Sequence, residues 1–311
     1  MHLTLGRPFT TVEFNRLLDV AMVYTITPVH NRRPITRTFL ECMRKQTFEG
    51  IRVVIVDDGS TDGTSDMIRK EYPEVTLLTG DGSLWWSGGT NLGLNHLLTE
   101  AEDDDYVLII NDDLEIEPSY VQRLTDFARR HPDALIGSVV VDIEKPDTVW
   151  DGGRLTNWIT AKHRVMNQGR SLSSFPDSAY FEVSQLTGRG TLIPVSVFRK
   201  VGLYDDVHFR HRGDTEFPVR ASRQGYRLLV YYGARVMSHV NLTHGSEQEA
   251  HYRLRDFRHY FFDFRSSGWI KFRFYFALKT AISPLQFVSF FVCDLLRVSV
   301  HFLRRCHVRG T

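Results

Sequence analysis

Val107-Leu108-Ile109-Ile110-Asn111-Asp112-Asp113-Leu114-Glu115-Ile116 is the stretch that decides how this chain folds. Four apolar residues, three of them β-branched, make a short run of the kind that forms a buried parallel strand. The run ends in an amide and two carboxylates, and Pro118 then opens a helix. Open α/β sheets bind ligands at the carboxyl ends of their strands, which is where these acids fall. Hard oxygen donors there suit Mg²⁺ or Mn²⁺ carrying a substrate diphosphate. The plainer alternative is a polar strand-to-helix turn with Asp as a cap.

Outward from this stretch the pattern repeats. Toward the N-terminus, residues 21–27 read as a first buried strand that runs into Pro28-Val29-His30-Asn31-Arg32. Helical spacing follows, with Ile35, Phe39, Leu40 and Met43 on one face. Residues 51–56 form a second strand, closed by Asp57-Asp58-Gly59-Ser60-Thr61-Asp62-Gly63, and residues 75–78 a third. Gly80-Asp81-Gly82-Ser83-Leu84-Trp85-Trp86-Ser87-Gly88-Gly89-Thr90-Asn91 then leads into an apolar helix. After the acidic strand end come a helix over residues 118–131 and a strand over 134–141. Alternating strands and helices predict a doubly wound, mostly parallel sheet through about residue 142. From 147 to 180 the pattern weakens into loops and short strands, over which an acceptor would lie. Order resumes at Thr187, and Gly213-Asp214-Thr215-Glu216-Phe217 opens a helix, followed by a strand at 226–231 and by His239 just past residues 235–237.

The 311 residues are 42% hydrophobic and 24% charged, an ordinary globular composition. The net charge of +1 hides an asymmetry. From Arg253 onward 11 Lys and Arg face 3 Asp and Glu, a net +8, whereas the first 252 residues carry 27 against 34, a net −7. An acidic body with a basic tail points to an anionic surface as the tail's partner. Cys42, Cys293 and Cys306 have neither disulfide-framework nor zinc spacing. Arg7, Glu13, Arg16 and Asp19 interrupt any N-terminal apolar core, so the expectation is a cytoplasmic body. The longest uncharged segment, residues 280–293, contains Pro284 and is too short to span a bilayer.

Taken together, these motifs resemble a family. Thr27-Pro28-Val29-His30-Asn31-Arg32, Val56-Asp57-Asp58-Gly59-Ser60-Thr61-Asp62-Gly63-Thr64, Trp86-Ser87-Gly88-Gly89-Thr90-Asn91-Leu92-Gly93 and Asn111-Asp112-Asp113 follow the order and spacing of family 2 inverting nucleotide-sugar glycosyltransferases with the GT-A fold. Gly213-Asp214-Thr215-Glu216-Phe217, with Arg220 and Gly225-Tyr226 after it, is close to that family's catalytic segment. Within the family the chain looks like the bacterial rhamnosyl- and galactofuranosyl-type transferases of O-antigen, capsule and cell-wall polysaccharide assembly.

The resemblance implies a GT-A domain over residues 1–250, with a nucleotide-sugar half at about 20–142, an acceptor half at about 143–250, and a helical basic extension over 251–311. It implies a UDP- or dTDP-sugar donor, dTDP-rhamnose leading, with Asp58 on the pyrimidine N3–H and Pro28 beside the base. His30, Arg32, Asp81, Trp86, Gly89, Asn91, Asn111, Asp112 and Arg189 join the nucleotide-sugar pocket. The Gly88-Gly89 segment is expected as a loop whose N–H groups approach the diphosphate. Asp113 stands where the family's metal-binding aspartate does, and Asn111 replaces the first acid of that motif. Asp113 and His239 would hold Mn²⁺ or Mg²⁺. Asp214 would be the general base, and Glu216 would hold the acceptor or orient the site.

Other readings remain at this point. A sugar-phosphate nucleotidyltransferase shares the architecture but wants a Gly-rich basic loop after the first strand. A catalytically dead nucleotide-sugar-binding scaffold would not need both Asp113 and Asp214. Asp57-Asp58-Gly59-Ser60 also reads as a turn and cap, Trp85-Trp86 as core, and His239 as a structural histidine. In the tail, Gln286, Ser289, Cys293, Arg297, His301 and Arg304 form a polar stripe on an otherwise apolar helix. Such a helix packs on the body, joins a homo-oligomer, or lies in an anionic membrane interface near a glycan or polyprenyl-linked glycan acceptor. Nothing points to nucleic acid.

Overall fold

The structure, a computed structural model, describes residues 21–239 and 252–307. The first 20 residues and the boundary drawn at residue 250 lie outside the described residues. Strands β1 (Val23–Val29), β2 (Ile51–Asp57), β3 (Thr76–Thr79) and β4 (Tyr106–Ile109) run parallel in the order β3-β2-β1-β4. Helices α1 (Arg33–Arg44), α2 (Thr64–Glu71) and α3 (Trp85–Leu97) connect them. Successive strand side chains alternate between faces, so each residue goes to one of two cores. Tyr24 and Ile26 of β1 pack with Leu94 and Leu97 of α3. Val23 and Val29 pack on the other side with Phe39, Leu40 and Met43 of α1. Burial on both faces is why β4 reads as a continuous apolar run and why even Thr25 and Thr27 of β1 are buried.

Beyond β4 the chain continues through β5 (Leu114–Ile116), α4 (Tyr120–Arg129), β6 (Ala134–Asp142), β7 (Lys145–Asp151) and the hairpin β8 (Arg154–Asn157) with β9 (Lys162–Val165). Next are β10 (Tyr180–Glu182), β11 (Thr191–Pro194), α5 (Val195–Val201), α6 (Gly213–Arg223) and β12 (Arg227–Ser238). The sheet order is β10-β12-β6-β11-β4-β1-β2-β3. β11 lies antiparallel between β4 and β6, so β6 does not follow β4 directly in the sheet. The strand expected at 226–231 runs on to Ser238 as β12, with a register shift between Tyr231 and Arg235. The end of β12 pairs antiparallel with β5, Met237 opposite Glu115 and Ser238 opposite Leu114. That register brings His239 to the acids after β4.

Helices α7 (Phe257–Phe262), α8 (Ile270–Thr280) and α9 (Pro284–His307) form the extension. Phe276, Ala277 and Phe290 share a core with Ala161, Phe209 and Val219 of the body. Lys279 pairs with Asp205, Arg223 Nε donates to the Thr280 carbonyl at 3.0 Å, and Arg297 Nε to the Thr160 carbonyl at 2.8 Å. The extension is therefore packed on the body. Its sequence reading ended the apolar segment at Cys293 because Asp294 follows. The helix runs straight through, since Arg273 meets Asp294 at 2.6 Å and offsets its charge. By length and composition alone, Pro284–Cys306 is long and apolar enough to cross a membrane. The face of α9 turned from the body exposes Leu285, Val288, Val292, Leu296, Val300 and Leu303.

Candidate active site

Two cavities open near the carboxyl end of β4. The smaller, about 250 Å³, is lined by Asp112, Asp113, Glu115 and His239 together with Pro34 and Ile35 of α1. Arg32 reaches across both acids, 2.9 Å from Asp112 Oδ1 and 3.5 Å from Asp113 Oδ2. Thr36 Oγ1 donates to Asp112 Oδ2 at 2.8 Å. Burial pushes the Asp112 carboxyl up to about 6, with Arg32 and Thr36 opposing the rise. His239 Nε2 lies 3.1 Å from Glu115 Oε1.

The structure thus gathers Arg32, Asp112, Asp113 and His239 at one edge. No group of three or more His, Cys, Asp or Glu among the described residues forms a metal cage. A Mg²⁺-type ion does not need one, because it is held by one or two carboxylates, water and substrate phosphates. The buried carboxylates of Asp112 and Asp113 line this cavity with Glu115 and His239, oxygen and imidazole donors of the kind such an ion takes. The donor set fits.

The residues expected to face the nucleotide lie at the ends of β1 and β2. Asp58 accepts from Gly82 N–H at 2.8 Å and from Trp85 N–H at 3.0 Å, so its buried carboxylate holds residues 80–85 in place. His30 Nδ1 donates to the Asp58 carbonyl at 2.6 Å, and Asn31 donates to His30 Nε2 at 3.0 Å. Asp81 is an exposed turn residue. Its Oδ1 accepts from Ser83 N–H at 2.9 Å and Ser83 Oγ at 2.6 Å, and these bonds hold its carboxyl below the usual range.

The glycine pair corrects the reading made from sequence. Gly88 and Gly89 are not in a loop; they lie inside α3, which begins at Trp85. The Gly88 N–H is spent on the Leu84 carbonyl at 3.1 Å, and the Ser87 N–H on the Arg210 carbonyl at 2.9 Å. What the small residues supply is close approach. A Cβ on Gly89 would sit 3.0 Å from Pro28 Cβ, and one on Gly93 would sit 2.8 Å from Ile26 Cγ2. Helix α3 therefore rests directly on β1. Asn91 also serves packing: its amide donates to the Tyr204 carbonyl at 2.8 Å and to Asp206 at 3.1 Å, and accepts from Tyr204 N–H at 3.0 Å.

The larger cavity, about 410 Å³, reaches from Asn111 to Asp214. Asn111 Oδ1 accepts from Trp86 Nε1 at 3.0 Å, so Trp86 belongs to the floor beneath the site. Gly188 N–H donates to Asp214 Oδ2 at 2.9 Å, and a Cβ at Gly188 would come within 2.7 Å of the Trp86 ring. Asn111, Trp86, Gly188 and Asp214 thus form one packed chain of contacts. Burial raises the Asp214 carboxyl above its ordinary range, while the Gly188 N–H and the guanidiniums of Arg154, Arg189 and Arg212 pull it back. Arg189 lines this cavity with its guanidinium 4.9 Å from the Trp150 ring.

Glu216, two residues further into α6, is fully buried and faces another partner. Arg220 binds it through Nε at 2.8 Å and through its NH2 group at 3.3 Å, then braces the Val201 and Leu203 carbonyls at 2.6 Å each. Through Arg220, Glu216 is tied to the segment at residues 201–203 that precedes α6. The remaining wall was not legible in sequence. Arg154 and His163 come from the β8–β9 hairpin, Gln185 from the segment after β10, and Phe272, Arg273, Phe276, Phe290 and Asp294 from the extension. Only Phe272, Arg273 and Phe276 left a trace, in the density of Phe and Arg over residues 254–276.

Comparison with known proteins agrees with this geometry. The family model of glycosyl transferase family 2 matches residues 24–186. An N-acetylglucosaminyl-diphospho-decaprenol L-rhamnosyltransferase of Mycobacterium tuberculosis is 26% identical over 271 residues, covering 81% of this chain and 87% of its own. The crystal structure of GalNAc-T7 with UDP, GalNAc and Mn²⁺ superimposes with a TM-score of 0.57 at 14% identity, over 70% of this chain and 44% of that one. The mannosyltransferase PcManGT from Pyrobaculum calidifontis, in complex with GDP-Man and Mn²⁺, gives 0.55 at 15% identity, over 93% and 76%. These two likenesses bear on the fold, which is GT-A. The matched span covers β1 to β10, the acids after β4 and the segment that ends beside Gly188, and the chain belongs to glycosyl transferase family 2.

Proposed function

We propose that this glycosyltransferase moves a sugar, with inversion, from a UDP- or dTDP-sugar to a hydroxyl of a polyprenyl-diphosphate-linked glycan, in bacterial surface polysaccharide assembly. dTDP-rhamnose leads the donors, because the mycobacterial relative is named for rhamnosyl transfer to a diphospho-decaprenol acceptor. The observation that carries the reading is Asp214: a carboxylate held by the Gly188 N–H in a cavity that also reaches Asn111 at the end of β4.

A sugar hydroxyl is a poor nucleophile, so a carboxylate at hydrogen-bond distance must take its proton as the bond forms. Asp214 takes that proton, and the acceptor oxygen bonds to the anomeric carbon. The bond from that carbon to the nucleoside diphosphate breaks, and its electron pair leaves with the diphosphate. One displacement on one face inverts the centre. Asp113 and His239 would hold Mn²⁺ or Mg²⁺, which stabilises charge on a departing diphosphate as a Lewis acid. Asp58, Pro28 and His30 would take the pyrimidine side.

The exposed apolar stripe of α9, with the net +8 of the tail, supports docking on the anionic inner face of the plasma membrane. Transfer assays with a panel of UDP- and dTDP-sugars, with and without EDTA, test the donor and the metal. Nucleoside diphosphate release from one donor, lost with EDTA, is the expected result. Pyrophosphate release from a nucleoside triphosphate plus a sugar 1-phosphate would replace this reading with nucleotidyl transfer.

A further inference from the structure

Four buried polar atoms that make no hydrogen bond among the described residues line one cavity, the one that holds Asp214. They are Arg154 Nε, Gln185 Nε2, His211 Nε2 and Arg273 Nε. The arginine and amide nitrogens are donors only. Gln185 is 2% exposed, so water does not satisfy it from bulk solvent. A buried donor without a partner is costly to a fold, and its persistence at one site calls for a ligand that accepts.

The charge has the same sense. Arg154, Arg189 and Arg212 face Asp214 across this cavity, while Asp294 is spent on Arg273 at 2.6 Å. Burial and neighbouring guanidiniums keep His163 and His211 toward their neutral forms. The cavity therefore has unspent donors, one of them on a guanidinium, on the side built by β8 and the segment after β10. On the side built by α8 and α9 it has the rings of Phe272, Phe276 and Phe290. A ligand complementary to both is anionic and oxygen-rich at one end and apolar at the other. The donor's diphosphate does not match that description, and the acids and histidine suited to its cation line the other cavity.

Resting on the glycosyltransferase reading above, we propose that this cavity is the acceptor subsite. Arg154 and Gln185 take phosphate oxygens of a prenyl diphosphate carrier, and Phe272, Phe276 and Phe290 take its first isoprenyl units. Guanidinium groups suit phosphate because their planar donors match its oxygens. Fixing the carrier's phosphate beside Asp214 would hold the first sugar at the base, so acceptor recognition and catalysis share one wall.

The test is calorimetric titration of the full chain, saturated with UDP or dTDP and Mn²⁺, with geranyl diphosphate as the probe. The wild type should bind it without displacing the nucleotide. Arg154→Gln should weaken it at least tenfold. Gln185→Glu, close in size but acidic, should weaken it as much by repulsion. Unchanged nucleotide affinity in both variants reports an intact fold. Competition between geranyl diphosphate and the nucleotide would assign the guanidiniums to the donor and overturn the proposal. So would wild-type binding that neither variant weakens, or no binding at all. Failure of the nucleotide to bind would instead strike the donor reading, and the titration repeated without nucleotide still decides the subsite by the same variants.

Discussion

The two cavities beside β4 are built in different ways. The wall at Asp112 and Asp113 comes from one strand end and the helix and strand tip next to it, with Thr36, Arg32 and His239 brought in by short connections and one register. The wall around Asp214 is assembled from a hairpin, an irregular segment, the start of α6 and two helices of the extension. The first is a property of local chain pattern and the second of packing. The first depends on short-range pattern and the second on how distant segments close over one another.

The largest expected effect breaks the chemistry on the packed side while sparing the strand-end side. Asp214→Asn keeps the shape and can still meet the Gly188 N–H, but cannot accept a proton. Turnover should fall roughly 10²–10⁴-fold, the usual contribution of a general base, with donor affinity nearly unchanged. Near-normal turnover in single-turnover assays would remove Asp214 as the base.

Phe290→Ala asks whether the extension belongs to the body. Phe290 is 2% exposed between the extension and Ala161, Phe209 and Val219. Loss of such a ring from a core costs about 3–5 kcal/mol. Unfolding should remain a single transition shifted by that amount. A separate early transition would show that the extension is an independent appendage, and the packed wall would lose its meaning.

Gly89→Ala tests how the strand-end side is built. The sequence suggested a glycine loop on phosphate; the structure shows a helix pressed on Pro28, where a Cβ would sit at 3.0 Å. Overpacking of this kind costs about 1–3 kcal/mol. The variant should lose stability in denaturant melts and keep most of its donor affinity. The opposite pattern would restore the phosphate loop.

These differences explain what could be read from the chain. The parallel sheet and the acids after β4 were legible because β-branched runs and helical spacing are local signals, and the turn residues follow each strand directly. His239 was placed by a motif, and the pairing of β12 with β5 shows how a distant residue reaches Asp113. Gly88 and Gly89 were misplaced because glycine in sequence does not say whether it serves a loop or a close helix contact. Arg154, Gln185 and Phe290 were invisible because no spacing links 154, 185 and 290. Only the closure of α8 and α9 over the hairpin brings them together.

The smallest effect, and the one that ties the two walls to the reaction, is in the pH profile. As the proposed base, Asp214 must be deprotonated to act. Burial raises its carboxyl above the ordinary 3.8, while Gly188, Arg154, Arg189 and Arg212 limit the rise. The acid limb of kcat/KM should therefore fall above the range of a solvated aspartate, with activity lost as pH drops through it. Arg154→Gln removes one of those guanidiniums, so the limb should move further toward neutral pH. The stability sign is opposite. A carboxyl whose folded pKa is raised favours folding below its unfolded pKa, and that contribution is lost as pH rises through the folded value. Asp214→Asn should thus be at least as stable as the wild type at neutral pH, and lose that advantage near pH 4. If the acid limb of Arg154→Gln coincides with the wild type's, Arg154 does not act on Asp214, and the walls of the larger cavity are not coupled through charge.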